Sequence, residues 1–208
     1  RDPQVLEERL MAQAAAFDEV AGIDEDAIAD LTDLLAERAR FHHSQLVNAM
    51  DGDRYSALVA DLLAMTNEPP VASAKLASKT AAPIAEQLAR KQWKRAAKFA
   101  AGLGSSADDL QLHDLRKRLK RARYAAQSVK RLRLGNRYFR RELADLQDRL
   151  GDHHDLVVQR EFLSTGFERL APDAAFVAGR LLQDADHRRL AMVTEWPDLA
   201  DRLERLDF

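Results

Sequence analysis

Apolar side chains along the first part of this chain recur every three or four residues. Val5, Leu6, Leu10, Ala14 and Phe17 have this spacing within a predicted helix from Asp2 to Phe17. The pattern predicts a second helix from Ile23-Asp24 to about Met50, because the acidic residues that follow Ile23 suit the first turn of a helix. A third helix is expected from Asp53, as its N-terminal cap, to about Met65.

The second part of the chain has the same periodicity, and glycine or proline separates its segments. The predicted helices run from Pro83 to Leu103, Ala107 to Leu134, Asn136 to Leu150, Asp152 to Leu170 and Pro172 to Glu195, with a short terminal helix after Trp196-Pro197. Gly135-Asn136 is predicted as a turn and Gly151 as a helix end. No segment alternates as a strand would, so we expect an all-α protein.

A break at Asn67-Glu68-Pro69-Pro70 divides the pattern. We therefore predict a first helical bundle in residues 1–70 and a second in residues 71–208, with Val71–Lys79 as a loose connector. Scarce glycine and proline and many alanine and leucine residues favour closely packed helices.

Charge is unevenly distributed along the chain, although the net formal charge is only −2. Residues 90–141 contain 17 Lys or Arg and three acidic side chains, which makes this segment +14 and the rest of the chain −16. Folding does not require such charge segregation. The concentration of positive charge in one segment therefore predicts a basic surface that binds an anion. The absence of cysteine excludes disulfides, thiolate metal sites and a cysteine nucleophile, and it fits a reducing, cytoplasmic setting.

The densest basic segment follows His113 in the predicted helix Ala107–Leu134. Helical spacing places His113, Lys117, Lys120, Tyr124 and Gln127 on one stripe, which we call the His113 stripe. Its neighbours Arg116 and Arg123 lie on one side and Arg121 on the other. The opposite face is apolar and is expected to be buried; its residues are Leu115, Leu119, Ala122, Ala126 and Val129.

The preceding helix repeats this arrangement. Its basic side holds Arg90, Lys91, Lys94, Arg95 and Lys98, and its apolar side holds Ala89, Trp93, Ala96 and Ala100. The Gly/Ser turn makes the two helices antiparallel neighbours, and the next helix begins with more arginine. Arg and Lys are the usual ligands of phosphate groups. The predicted anion-binding residues are Arg90, Lys91, Lys94, Lys98, His113, Arg116, Lys117, Lys120, Arg121, Arg123, Arg137, Arg140 and Arg141.

The histidines do not indicate a metal centre. No second histidine lies at helical ligand spacing from His113, so a hydrogen-bonding or capping role is expected for it. His42-His43 and His153-His154 are adjacent pairs, whose side chains point about 100° apart on a helix. We interpret both pairs as surface or helix-end residues and predict no metal, cofactor or catalytic residue.

Two motifs resemble those of the CHAD domain, the conserved histidine α-helical domain. They are His113-x-x-Arg116-x-x-x-Lys120-Arg121-x-Arg123-Tyr124 and Leu146-Gln147-x-x-Leu150-Gly151-x-x-x-Asp155. The helix from Pro83 to Phe99 is similar to the one that precedes the histidine motif in that family. Gln127 departs from the pattern, since an acidic residue is common there.

The resemblance implies two four-helix bundles related by a pseudo-twofold axis, with a basic cleft that binds inorganic polyphosphate. Carried over by position, His113, Arg116, Lys120, Arg121 and Arg123 would face that cleft, while Tyr124 could belong to the packing. We expect a binding module without enzymatic activity, located in the cytoplasm or on polyphosphate granules. Alternatives are an enzyme such as a phosphohydrolase or triphosphatase, a phosphohydrolase-associated accessory domain, a nucleic-acid-binding protein and a helical scaffold without a ligand; a homo-oligomer also stays open.

The first bundle is expected to lack its N-terminal helices. The chain begins with Arg1-Asp2-Pro3 rather than Met, and Asp2–Leu10 resembles Asp155–Leu163, which follows a histidine helix in the second half. By analogy, the natural protein would extend upstream and contain another histidine helix with its own set of Arg and Lys. Sequencing the N-terminus of the natural protein tests this expectation.

Overall fold

The computed structural model describes residues 6, 8–13, 25–70, 73–130 and 136–207, and this part of the chain contains helices and short links but no strand. The predicted all-α class is therefore confirmed. Residues 8–13 are helical, and the later elements are α1 (Glu25–Met50), α2 (Asp53–Asn67), α3 (Ala74–Ala77), α4 (Ala81–Ala101), α5 (Asp109–Lys130), α6 (Arg137–Gly166), a 3-10 turn (Phe167–Arg169), α7 (Pro172–Thr194) and α8 (Trp196–Arg205). The predicted helix start at Ile23-Asp24, the helix end at Leu134 and Gly135 of the predicted turn lie outside the described residues, as do both ends of the predicted helix Asp2–Phe17.

The chain divides into two units according to which residues contact one another. Unit 1 comprises Arg1–Lys79 and Leu163–Leu181, and unit 2 comprises Thr80–Phe162 and Leu182–Phe208. The long helices α6 and α7 thus contribute to both units. The bundles predicted for residues 1–70 and 71–208, and the pseudo-twofold axis between them, stay predictions.

The core of unit 2 is formed by the apolar faces of α4, α5, α6 and α8. Leu115 and Leu119 of α5 and Trp196 of α8 are each 0% exposed, and the Trp93 and Phe139 rings meet edge to face with centroids 5.1 Å apart. Together these helices bury Trp93, Ala96, Ala100, Ala107, Leu112, Leu115, Leu119, Ala122, Ala126, Phe139, Leu143, Leu146, Leu150, Trp196, Leu199, Leu203 and Leu206. Burial of this many apolar side chains is the main stabilising contribution to unit 2.

The turn between α4 and α5 is fixed by one long-range hydrogen bond and one local helix cap. Gly104 has a φ of +67°, which glycine adopts without a steric penalty, and its carbonyl accepts a hydrogen bond from the Trp196 indole N–H at 3.0 Å. Asp108 then caps α5 in a reciprocal arrangement, because the Gln111 amide donates to its carboxylate while its own amide donates to the Gln111 side chain. These interactions set the antiparallel course of α4 and α5.

Unit 1 has a smaller buried set among the described residues. Leu10, Ala27, Leu31 and Leu35 are buried in its N-terminal part, and Leu163, Ala174, Val177, Ala178 and Leu181 are buried in its C-terminal segment. Gly166 allows a close approach of α1, since a Cβ atom there would lie 2.7 Å from Leu34 Cδ2. No residue of α2 is buried.

Several predicted helix boundaries differ from the structure by a few residues, and three predictions differ in kind. Gly151 does not end a helix, because α6 runs without interruption from Arg137 to Gly166. A glycine inside a helix costs about 1 kcal/mol relative to alanine, a cost that burial of Leu150 and Leu156 on either side outweighs. Asp53 is the first residue of α2 and Gly52 is its cap, and the predicted connector Val71–Lys79 contains the single-turn helix α3.

No helix in the described parts of the chain combines the length and the apolar character that a bilayer crossing requires.

Candidate anion-binding surface

The basic residues of α4 lie where the helical periodicity predicts them. Its apolar face is buried, and the residues on that face are Ala89, Trp93, Ala96 and Ala100. The opposite face is exposed and carries Arg90, Lys91, Lys94, Arg95 and Lys98. Arg90 donates to Glu86 at 2.9 Å, whereas Lys91, Lys94 and Lys98 form no ion pair with any residue that the structure describes.

The polar side of α5 has an exposed ridge along its middle, which we call the crest, and a side face on each side of it, which we call the flanks. The predicted buried face is confirmed, since Leu115, Leu119, Ala122, Ala126 and Val129 are all 2% exposed or less. The crest contains Lys117 and Tyr124, which are exposed. One flank faces α6 and includes His113 and Arg123, and the other faces α4 and includes Arg118 and Arg121. The single predicted surface is therefore divided along the axis of α5.

His113 lies half-buried on the α6 side. Its ring centroid is 4.4 Å from that of His154, and its Nδ1 is buried without a hydrogen-bond partner among the described residues. Burial lowers the pKa of His113, and the positive charges of Lys117 and Arg116 lower it further, while Asp114 opposes them. The neutral imidazole is thus favoured, which leaves one ring nitrogen able to accept and the other able to donate a hydrogen bond.

The other predicted anion-binding residues of α5 differ in whether they already form an ion pair with a carboxylate of the protein. Lys117 pairs with Asp114 at 2.6 Å, and this contact lowers the pKa of the Asp114 carboxyl. Arg123 lies 3.4 Å from Asp148. Arg116, Lys120 and Arg121 have no carboxylate partner in the described parts of the chain, and the Lys120 ammonium lies 5.8 Å from the centre of the Tyr124 ring. Three strong cations of α5 are therefore available to an anion.

The arginines at the start of α6 extend the basic surface. Arg137 and Arg141 are exposed. Arg140 is half-buried and lines a small pocket of about 160 Å³ together with Arg123 and Gln127 of α5. This pocket brings predicted ligands from two helices together, which the sequence motif alone did not indicate.

Sequence reasoning missed a groove between α4 and α5, which we call the α4–α5 groove. It has a volume of about 850 Å³ and is lined by Arg95, Lys98, Arg118 and Arg121, with Phe99 among its apolar residues. The predicted basic face of α4 includes Arg95, but the predicted anion-binding residues include neither Arg95 nor Arg118. The spacing of three between Arg118 and Arg121 on the same helix flank is the signal that could have identified Arg118.

The interpretation of His153-His154 as surface or helix-end residues is wrong. Both lie inside α6, and His153 is 1% exposed. The His153 Nε2 atom lies 3.0 Å from Asp109, and Arg189 donates two hydrogen bonds to the same carboxylate. Burial is the largest influence on His153 and lowers its pKa, although Asp109 opposes the shift. In this partly buried cluster, Arg189 of α7 is hydrogen-bonded to Asp109 of α5, and buried His153 of α6 lies beside them within unit 2.

His42 and His43 are exposed, in agreement with a surface position. Across the described residues, no group of three or more His, Asp or Glu side chains is arranged to hold a metal ion.

Two comparisons bear on the family of this chain. No curated protein matches the sequence. The sequence model of the CHAD domain matches residues 1–164 of 208. This match includes α4, α5 and most of α6, and with them every predicted anion-binding residue. Since it covers more than half of the chain, the protein belongs to the CHAD domain family.

Proposed function

We propose that this protein binds inorganic polyphosphate through the exposed basic faces of α4 and α5. The observation that carries the proposal is a set of cations on two adjacent helices that have no carboxylate partner among the described residues. They are Lys91, Lys94, Lys98, Arg116, Lys120 and Arg121. Like charges held this close repel one another, and a bound polyanion converts that repulsion into attraction.

A linear phosphate polymer suits this surface because it repeats a negative charge at every unit. Arg116 and Arg121 can each donate two parallel hydrogen bonds to phosphate oxygens, and Lys120 contributes a mobile point charge. His113, with its lowered pKa, acts as a neutral hydrogen-bonding group beside them. The affinity should fall steeply with added salt, because each phosphate contact releases counterions.

Double charge reversal tests this assignment. Arg116→Glu with Lys120→Glu should weaken binding of long-chain polyphosphate by at least about tenfold, since two attractive contacts become repulsive. Arg38→Glu with Arg40→Glu is the matched control, because it changes the net charge equally but lies on α1 of unit 1. Binding is measured by titration calorimetry at fixed salt, and circular dichroism verifies that both variants keep their helices. Equal losses in the two variants would show that binding depends on net charge and not on α5.

Three further measurements test which activity the protein has. His113→Ala should weaken binding less than the double variant, because it removes one neutral contact. The protein should release no orthophosphate from polyphosphate, with or without magnesium, since we infer a binding module and not a hydrolase. Release of orthophosphate at enzymatic turnover would contradict this proposal and show that the protein is a phosphohydrolase. An oligonucleotide and heparin of matched charge separate polyphosphate binding from general polyanion binding.

We also propose that binding can direct the protein to polyphosphate granules in the cytoplasm. A fluorescent fusion should concentrate on granules, and the Arg116→Glu, Lys120→Glu variant should remain diffuse. Loss of localisation in the α1 control variant would count against this role.

A further inference from the structure

The α4–α5 groove combines positive charge with an apolar surface, which a purely inorganic anion cannot use. Its volume of about 850 Å³ is within the range of small-molecule sites. Phe99 and Leu103 are half-buried against the core of unit 2, and Leu110 at the rim is 79% exposed. A leucine this exposed at the edge of a groove can contact the apolar part of a ligand.

The charges of the groove are available to a ligand. Arg95, Lys98 and Arg121 form no ion pair within the described parts of the chain. The two acidic residues of the groove are already engaged, because Asp108 caps α5 at the Gln111 amide and Asp114 pairs with Lys117. The local field therefore attracts an anion, and the carboxylates do not compete for the cations.

The Arg118 side chain provides a flat surface next to these cations. Its guanidinium lies 4.2 Å from the centre of the Phe99 ring, a distance at which the two groups attract each other. An arginine held over an aromatic ring presents its own planar face, on which a nucleobase can stack. The Gln111 side-chain oxygen accepts from the Asp108 amide, so its NH₂ group remains oriented and can donate to a base edge.

We propose that the α4–α5 groove binds a nucleoside triphosphate, with its phosphates on Arg95, Lys98 and Arg121 and its base on the Arg118–Phe99 pair beside Leu110. This inference does not rest on the polyphosphate binding proposed for the exposed basic faces of α4 and α5. Polyphosphate and the nucleoside triphosphate would share Lys98 and Arg121, so they should compete for the protein.

A comparison of two ligands with the same phosphate number tests the proposal. ATP should bind about tenfold more tightly than inorganic tripolyphosphate at the same salt and magnesium concentrations, because stacking and apolar contacts add to the phosphate contacts. Leu110→Ala should reduce this preference severalfold, and Phe99→Ala should abolish it. Leu190→Ala is the matched control, because this leucine is also exposed and lies on α7, away from the groove.

The outcomes distinguish the two sites. Phe99 packs against the core, so Leu110→Ala is the decisive variant if Phe99→Ala fails to fold. Equal affinities for ATP and tripolyphosphate, or a preference for ATP that Leu110→Ala leaves intact, overturn the nucleotide site. Retention of the ATP preference in the Arg116→Glu, Lys120→Glu variant supports the placement of the nucleotide in the α4–α5 groove, because neither residue lines that groove. Loss of that preference in the same variant overturns the placement in the α4–α5 groove.

Discussion

Helices α1 and α2 form one consecutive pair, and α4 and α5 form another. Both pairs have apolar residues at helical spacing, and in α2 Tyr55, Leu58, Val59 and Leu62 follow that spacing closely. In α4 and α5 the apolar stripes are buried, whereas Leu58 and Leu62 are 50% and 53% exposed and no residue of α2 is buried. The comparison teaches that periodicity predicts a helix but does not predict whether its apolar face is covered.

The two pairs also differ in charge. Outside its apolar stripe α5 is dominated by Lys and Arg, while α1 and α2 belong to the acidic first third of the chain, with 5 basic and 15 acidic residues in the first 69. An anion is attracted to the second pair and repelled by the first. The proposed anion binding is therefore assigned to α4 and α5, the pair that is both well packed and basic.

The largest expected effect comes from removing equivalent leucines in the two pairs. Leu119→Ala in α5 should lower the free energy of unfolding by about 2–5 kcal/mol, because it leaves a cavity in a closed core. Leu62→Ala in α2 should cost less than about 0.5 kcal/mol, as is usual for exposed side chains. Both tryptophans belong to unit 2, so urea denaturation followed by tryptophan fluorescence reports the first change and circular dichroism reports both. Similar losses would mean that the α2 face is covered in solution.

A smaller effect is expected from the polar cluster of unit 2. Asp109→Asn should cost about 1.5–3 kcal/mol, because it removes a charged acceptor from Arg189 and from the neighbourhood of buried His153. The control is Glu37→Gln in unit 1, which breaks an ion pair with Arg169 in which both partners are about half-exposed. Exposed pairs contribute only about 0–1 kcal/mol. A larger loss for Glu37→Gln in the same urea titration would contradict this ranking.

The smallest effect is expected from mild acidification. The pKa of His153 and that of His113 lie below the ordinary histidine value in the folded protein, so the unfolded chain binds these protons more readily. Their stabilising contribution is complete above the ordinary value of about 6.5 and is lost as the pH falls below it. The tryptophan-detected urea midpoint should therefore be lower at pH 5.5 than at pH 7.5. An unchanged midpoint would show that neither imidazole resists protonation.

Much of the fold could be predicted from local pattern. The buried stripe of α5 from Leu115 to Val129 and the exposed basic face of α4 both follow from a spacing of three and four. The predicted helix end at Gly151 is wrong because packing overrides a local signal. Glycine favours a helix end there, but α6 continues because residues on both sides of Gly151 are buried in the tertiary structure.

The candidate site was predictable only in part. Its ligand types and helices are visible in the sequence, but their division into two flanks is not. Arg118 joins Arg95 across the α4–α5 groove because two antiparallel helices pack at a particular rotation about their axes. His153 is buried beside Asp109 and Arg189 although 44 and 36 residues separate it from them in the sequence.

By itself, the sequence determined the helical class, the concentration of positive charge in residues 90–141 and the membership in the CHAD domain family, because these depend on composition, local spacing and short motifs. The tertiary structure decided which cations have no carboxylate partner among the described residues, where an apolar surface meets those cations, and that His153 is buried. Those properties arise from contacts between residues distant in the chain, whose energies depend on burial and on distances of a few ångströms.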